Sequence, residues 1–253
     1  MDQTGRTLPE PRRDWAMFLD IDGTLLDLAP TPSDVVVPPA LPGLLRALDL
    51  ALGGAVAVIT GRTLTDADAL LAPLAPVAAG QHGAEIRWPD GTIERPVEAS
   101  ALAGFAPRIR DFAAKRPGLL VEDKGMTIAV HCRQAPQYQD ELGRFLAHLA
   151  AERAETLEAI QGHRVFEIKP RALSKRTAVE RFMAKSPFQG RIPVFIGDDR
   201  TDEDGFQAVR AQGGIAIRVG PEAPSLALLR IGGPTEVREF LSHVVEALNE
   251  HVG

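Results

Sequence analysis

Four polar clusters each follow an apolar run or open a helical one, and their order along the chain constrains the fold most. Asp20-Ile21-Asp22-Gly23-Thr24 follows the apolar run 15–19, and Thr60-Gly61-Arg62 follows the run 55–59. Lys175 comes third, in Leu173-Ser174-Lys175. Gly197-Asp198-Asp199-Arg200-Thr201-Asp202 is fourth, after the run 192–196. Short apolar runs that stop at polar or glycine-bearing turns are what buried parallel strands look like in sequence. An open parallel sheet binds its ligands in the crevice outside the carboxyl ends of its strands. Carboxylates, a hydroxyl and a lysine delivered to that edge suit magnesium-dependent phosphoryl transfer.

The rest of the chain fits an α/β, doubly wound, mostly parallel sheet with a smaller α+β unit inserted. Strands are expected at Met17–Leu19, Ala55–Ile59 and Val77–Ala79, with helices at Pro39–Leu52 and Thr63–Leu74 between them. After about residue 101 the rhythm changes to a helix at Phe105–Ala114 and two strands, Leu119–Glu122 and Thr127–His131. Asp123-Lys124-Gly125 joins those strands as a hairpin signal. A long helix at Gln137–Ala159 and a strand at Arg164–Lys169 complete the insertion. The α/β pattern then returns with helix Lys175–Lys185, strand Val194–Ile196, helix Asp202–Ala211, strand Ile215–Val219 and helix Pro234–Asn249. The expected division is a discontinuous core of 1–101 and 173–253, with 102–172 inserted and 1–14 a loose tail.

Bulk properties narrow the function classes. With 253 residues the chain is long enough for a real core, and its net charge of −6 argues against a nucleic-acid or membrane-surface binder. The apolar stretch 47–60 is too short to span a bilayer and is interrupted by Asp49 and two glycines. Residues 1–14 carry no hydrophobic run, so no secretory signal is expected and a cytoplasmic protein is the default. The single cysteine, Cys132, excludes an internal disulfide and reads as a buried, inert thiol. The sequence is silent on oligomeric state.

The clusters carry specific chemistry. Asp20 can attack a phosphoryl group to give an aspartyl-phosphate, and Asp22, two residues on, can serve as acid and then base. Asp198 and Asp199 suit a hard cation such as Mg²⁺. Asp202 reads in part as a helix-start acid. Thr60 and the following amides can hold a phosphoryl oxygen, and Lys175 can screen the negative charge. There is no Walker loop, zinc-type cluster, Gly-x-Ser-x-Gly elbow or dinucleotide fingerprint.

With these motifs the chain resembles the haloacid dehalogenase superfamily of phosphatases, over nearly all its length after Asp14. Within it the chain is similar to the trehalose-6-phosphate phosphatase family. Phe18–Leu26, Ile59-Thr-Gly-Arg62, Gly80–Glu85, Glu122-Asp-Lys124, Glu167-Ile-Lys-Pro170 and Gly197–Asp204 carry the narrower likeness. The resemblance implies Asp20 as nucleophile, Asp22 as acid/base, and Thr60 and Lys175 as phosphate ligands. It implies Asp198 beside Asp20 and the Asp22 carbonyl on Mg²⁺, and an inserted cap that closes over the substrate. Arg62 joins the implied substrate-binding set, with His82 and Glu85 near the hinge. Glu122, Lys124, Glu167 and Lys169 would meet the sugar from the cap, since each Glu-x-Lys pair projects from one strand face. His131 and Arg133 are further candidates. The implied reaction is hydrolysis of trehalose 6-phosphate, a small-molecule sugar phosphate, to trehalose and phosphate. The alternatives are a phosphatase for another sugar or polyol phosphate, or a non-catalytic sugar-phosphate-binding module.

Overall fold

The computed structural model describes residues 8–29, 34–97, 102, 104–162, 164–221 and 223–250. They form two compact units, one from the chain up to Glu94 and from Lys175 onward, the other from Arg95 to Ser174. The first unit begins with β1 (Trp15–Leu19), α1 (Leu41–Ala51), β2 (Val56–Ile59), α2 (Leu64–Leu71), β3 (Ala78–Gly80), β4 (Glu85–Arg87) and β5 (Ile93–Glu94). The second holds α3 (Ala106–Ala114), β6 (Leu120–Asp123), β7 (Ile128–His131), α4 (Gln139–Ala151), β8 (Leu157–Gly162) and β9 (Val165–Pro170). The chain returns to the first unit with α5 (Lys175–Met183), β10 (Ile192–Gly197), α6 (Asp202–Ala211), β11 (Ile215–Val219), β12 (Leu229–Ile231) and α7 (Pro234–Glu250).

The first unit is a sheet in the order β12-β11-β10-β1-β2-β3-β4-β5. It is parallel from β12 to β3, with β4 and β5 added antiparallel at one edge. Side chains of a strand alternate between faces, so an apolar run is buried throughout only if both faces are covered. Met17, Leu19, Val58, Val194 and Ile196 pack on one side with Leu45 of α1, Leu71 of α2 and Leu241 of α7. Phe18, Ile59 and Phe195 pack on the other with Phe182 of α5 and Phe206 of α6. Each large apolar side chain so buried contributes about 1.5–3 kcal/mol. Phe18 stacks on Phe182 and Phe188 with ring centroids 6.0 and 5.6 Å away.

Helix α2 is shorter than its pattern, which ran to Leu74. Ala72 precedes Pro73 and leaves the helical region at φ −53°, ψ 141°. Within the expected tail, residues 1–7 lie outside the described residues. Further on, the Arg13 guanidinium donates to the Leu248 carbonyl, and the Ile192 amide donates to the Asp14 carbonyl at 2.9 Å.

The second unit is an antiparallel sheet, β6-β7-β9-β8. Ile128, Val130, Phe166 and Ile168 pack against Ile109 of α3 and Leu142, Leu146 and Leu149 of α4. The compact unit, Arg95–Ser174, is wider at both ends than the expected 102–172. The long helix expected at Gln137–Ala159 is instead α4, a turn, and β8. Residues 144–159 are Ala- and Glu-rich and lack glycine and proline, which favours helix locally. β8 pairs along its whole length, Leu157 to Gly162, with β9, whose edge would otherwise be left open. Tertiary pairing overrides the propensity.

Candidate active site

Strands β10, β1 and β2 are neighbours and parallel, so the segments leaving them share one sheet edge. Asp20 leaves β1 with its amide donating to the Ile196 carbonyl at 3.1 Å, and Thr60 leaves β2 with its amide donating to Ala79 at 2.9 Å. Gly23 lies in the left-handed region at φ +81°, and a methyl group there would overlap the Asp198 carboxylate. A methyl on Gly197 would overlap Asp202 in the same way. Glycine at these two positions lets the carboxylates approach the backbone closely.

The Lys175 ammonium, at the first residue of α5, donates to Asp20 Oδ1 and to Asp202 Oδ1, both at 2.6 Å. Asp20, Asp198 and Asp202 bring carboxylate oxygens within 4.8 Å of one another. Asp202 has both oxygens engaged, since Oδ2 accepts the Asp199 amide at 2.9 Å. Thr24 donates its hydroxyl to Asp198 Oδ1 at 3.4 Å. Burial drives the Asp20 carboxyl up to about 7, against the pull of Lys175. Burial and then repulsion from Asp20 and Asp202 raise Asp198 to about 9. Burial opposes the charge on Lys175, but the two carboxylates outweigh it and hold the ammonium well above its ordinary value. Three converging carboxyl groups that repel one another when ionised form an all-oxygen donor set, and such a set suits a small divalent cation in place of protons.

Asp22 lies beyond this cluster in a bidentate pair with Arg62, whose Nε and second terminal nitrogen donate to its oxygens at 2.6 and 2.7 Å. The structure thus places Arg62 on Asp22. Thr60 Oγ1 accepts the Arg62 amide at 3.1 Å, whereas Thr63 caps α2 by accepting the Asp66 amide. Gln81 and His82 adopt positive φ, 47° and 58°, uncommon for non-glycine residues. Their amides donate to the carbonyls of Arg62 and Thr60 at 2.7 and 3.0 Å. The His82 ring lies over Gly61, where a methyl group would be 3.1 Å from its Cε1 and Nε2. Glu85 Oε2 accepts the Leu64 amide at 3.2 Å. His82, in the turn after β3, and Glu85, on β4, therefore brace the loop 60–64.

In the second unit, register places Glu122, Ala129, Glu167 and Ile160 in one row across the sheet. Glu122, His131, Glu167 and Lys169 thus share the face opposite the helices. The His131 ring nitrogen lies 2.9 Å from Glu122 Oε2, and Lys124 Nζ 3.7 Å from the same oxygen. Burial pushes the Glu122 carboxyl up, but the His131 contact and Lys124 outweigh it and leave it below its ordinary value. Glu167 and Lys169 are buried, and Lys169 donates to Glu158 Oε1 at 2.5 Å. Arg133 makes no bond with these groups among the described residues. Asp202, Thr24 and Glu158 were not singled out for these contacts. Asp202 was legible as a third acid of its cluster, one turn past Asp199; Glu158 was hidden inside the apparent helix.

The trehalose-phosphatase family profile matches residues 18–227. A probable trehalose-phosphate phosphatase of Sinorhizobium fredii (strain NBRC 101917 / NGR234) is 45% identical over 235 residues, covering 92% of this chain and 87% of its own. The trehalose-6-phosphate phosphatase of Escherichia coli (strain K12) is 40% identical over 243 residues, with 96% and 91% covered. Among solved structures, the C-terminal domain of C. albicans trehalose-6-phosphate phosphatase superposes with a TM-score of 0.82 over 92% of each chain. Its identity of 18% speaks to the fold alone. The likeness runs through both units and every cluster described above, and the chain belongs to the trehalose-phosphatase family.

Proposed function

We propose that the protein hydrolyses trehalose 6-phosphate to trehalose and inorganic phosphate through an aspartyl-phosphate at Asp20. The observation that carries the reading is the buried Asp20 carboxylate, 2.6 Å from the Lys175 ammonium at the carboxyl edge of a parallel sheet. Asp20 attacks phosphorus as the bond to the sugar oxygen breaks, and Asp22 protonates the departing alkoxide. Asp22 then takes a proton from water, which attacks the aspartyl-phosphate and releases phosphate. Lys175 and the Thr60 hydroxyl balance and orient the phosphoryl oxygens. Arg62 holds Asp22 through two hydrogen bonds and so sets the direction of its proton transfer.

Asp20, Asp198 and the Asp22 carbonyl would hold Mg²⁺, because both oxygens of Asp202 are already engaged. Bound there, Mg²⁺ would offset the charge on the phosphoryl oxygens and keep them aligned.

The sugar is read by the polar face of the second unit, through Glu122, Lys124, Glu167 and Lys169. Glu122 accepts and Lys124 donates, a pairing that fits a polyhydroxyl ligand. Replacing Glu122 by Gln and Lys124 by Met tests this. The loss of a charge-assisted hydrogen bond is worth about 1.5–3 kcal/mol. The double variant is expected to lose at least tenfold more kcat/KM on trehalose 6-phosphate than on p-nitrophenyl phosphate, about 1.4 kcal/mol. Equal losses on the two substrates would remove the sugar-reading role.

A further inference from the structure

The chain passes from β9 of the second unit to α5 of the first through residues 171–174 alone, and α5 begins on Lys175 itself. The linker is thus the backbone segment that leads directly into the first turn of α5, where Lys175 stands. The linker is fastened to the segment around β8. The Arg171 amide donates to the Thr156 carbonyl at 2.9 Å, and Arg171 Nε to the Ala154 carbonyl at 2.8 Å. Lys169 carries its ammonium onto the carbonyl of the buried Leu173, two residues before Lys175.

What holds Lys169 in that place is Glu158, its cross-strand partner, with Oε1 2.5 Å from the ammonium. The other carboxylate oxygen takes a terminal nitrogen of Arg171 at 3.5 Å. Glu158 thus serves two cations, one at each end of the linker's attachment. Lys169 is only 2% exposed, and Glu158 is its one anionic partner among the described residues. A buried ammonium stripped of its counter-charge is driven toward water. In moving, it would release the Leu173 carbonyl.

We propose that Glu158 is a positioning residue for phosphoryl transfer: by holding Lys169 against the Leu173 carbonyl, it fixes the linker that delivers Lys175 to Asp20. The same ammonium belongs to the face read above as the sugar site. The inference rests on the phosphatase reading of Asp20 and Lys175.

The test uses the full chain with Glu158→Ala and Glu158→Gln. Kinetics are measured on trehalose 6-phosphate and on p-nitrophenyl phosphate, and amide hydrogen exchange is followed across 171–175. Small misplacements of a catalytic group cost up to about a hundredfold. Glu158→Ala is expected to lower kcat between about ten- and a hundredfold on both substrates, because Lys175 serves either. Exchange across 171–175 should rise while the thermal midpoint of the first unit holds. Glu158→Gln keeps an acceptor oxygen for Lys169 and should recover part of kcat. A rise in KM confined to trehalose 6-phosphate, with kcat on the aryl phosphate unchanged, would overturn the proposal and leave Glu158 a sugar-site residue. Unchanged exchange across 171–175 would overturn it as well, and that readout needs no turnover. If wild type hydrolyses the aryl phosphate but not trehalose 6-phosphate, the substrate reading fails while the linker proposal is still decided by the aryl phosphate.

Discussion

Burial raises the Asp20 carboxyl to about 7, and the Lys175 ammonium 2.6 Å away works in the opposite direction. The proposed nucleophilic role needs the ionised form, which the ammonium favours and a divalent cation held there would favour further. Asn has the shape of Asp and an oxygen that still accepts from Lys175, but it cannot form the acyl-phosphate. Asp20→Asn should lower kcat/KM by more than about 10⁴-fold. Its thermal midpoint should stay within about 4 °C of wild type, because no cavity opens and a crowded negative charge is removed. Activity within tenfold of wild type would discard Asp20 as the nucleophile. Asp20, Asp22, Thr60 and Asp198 were legible because each sits one to three residues past an apolar run. Their partners were not, because Lys175–Asp202 and Arg62–Asp22 join residues far apart or unordered in sequence. The bidentate hold of Arg62 on Asp22 belongs to this class.

Among the elements, the core strands and helices announced themselves by periodicity, and the structure moves their ends by only a few residues. The misreading was β8, where helix-favouring letters continue from α4 through a turn that lacks glycine and proline. The edge strands β4, β5 and β12 were also not anticipated. They are two or three residues long and carry too little alternation to register. Packing between elements is equally specific at α6. Gly205 faces β10, and a methyl group there would lie 2.5 Å from the Phe195 ring, itself wedged against Phe206. Ala in place of Gly inside a helix ordinarily gains about 1 kcal/mol. Overpacking a core costs about 1–3 kcal/mol, and a buried aromatic ring cannot step aside cheaply. Gly205→Ala is therefore expected to destabilise by up to about 2 kcal/mol in urea unfolding, the difference between these terms. A stabilised variant would show that α6 can move off the sheet freely.

Across the whole molecule, the acidic cluster couples stability to pH, and a cation held there would couple it to metal as well. Asp20 at about 7 and Asp198 at about 9 both stand above their ordinary value of 3.8. Between those limits the folded chain holds protons that the unfolded chain has released, so stability falls as pH rises. The metal-free protein should show a thermal midpoint that declines from about pH 5 to about pH 9. Mg²⁺ bound at the cluster would replace those protons and should raise the midpoint more at the alkaline end. A hundredfold excess over Kd is worth about 2.7 kcal/mol, roughly 5–10 °C for a chain of this size. A midpoint indifferent to both pH and Mg²⁺ would contradict the cation site.

The central claim is tested most directly by phosphate release from a panel of sugar phosphates, with Mg²⁺ and with chelator, using Asp20→Asn as the blank. The account predicts release that depends on Mg²⁺, is strongest from trehalose 6-phosphate, and is absent in the blank. Equal release from wild type and Asp20→Asn, or none from any phosphate, would contradict it.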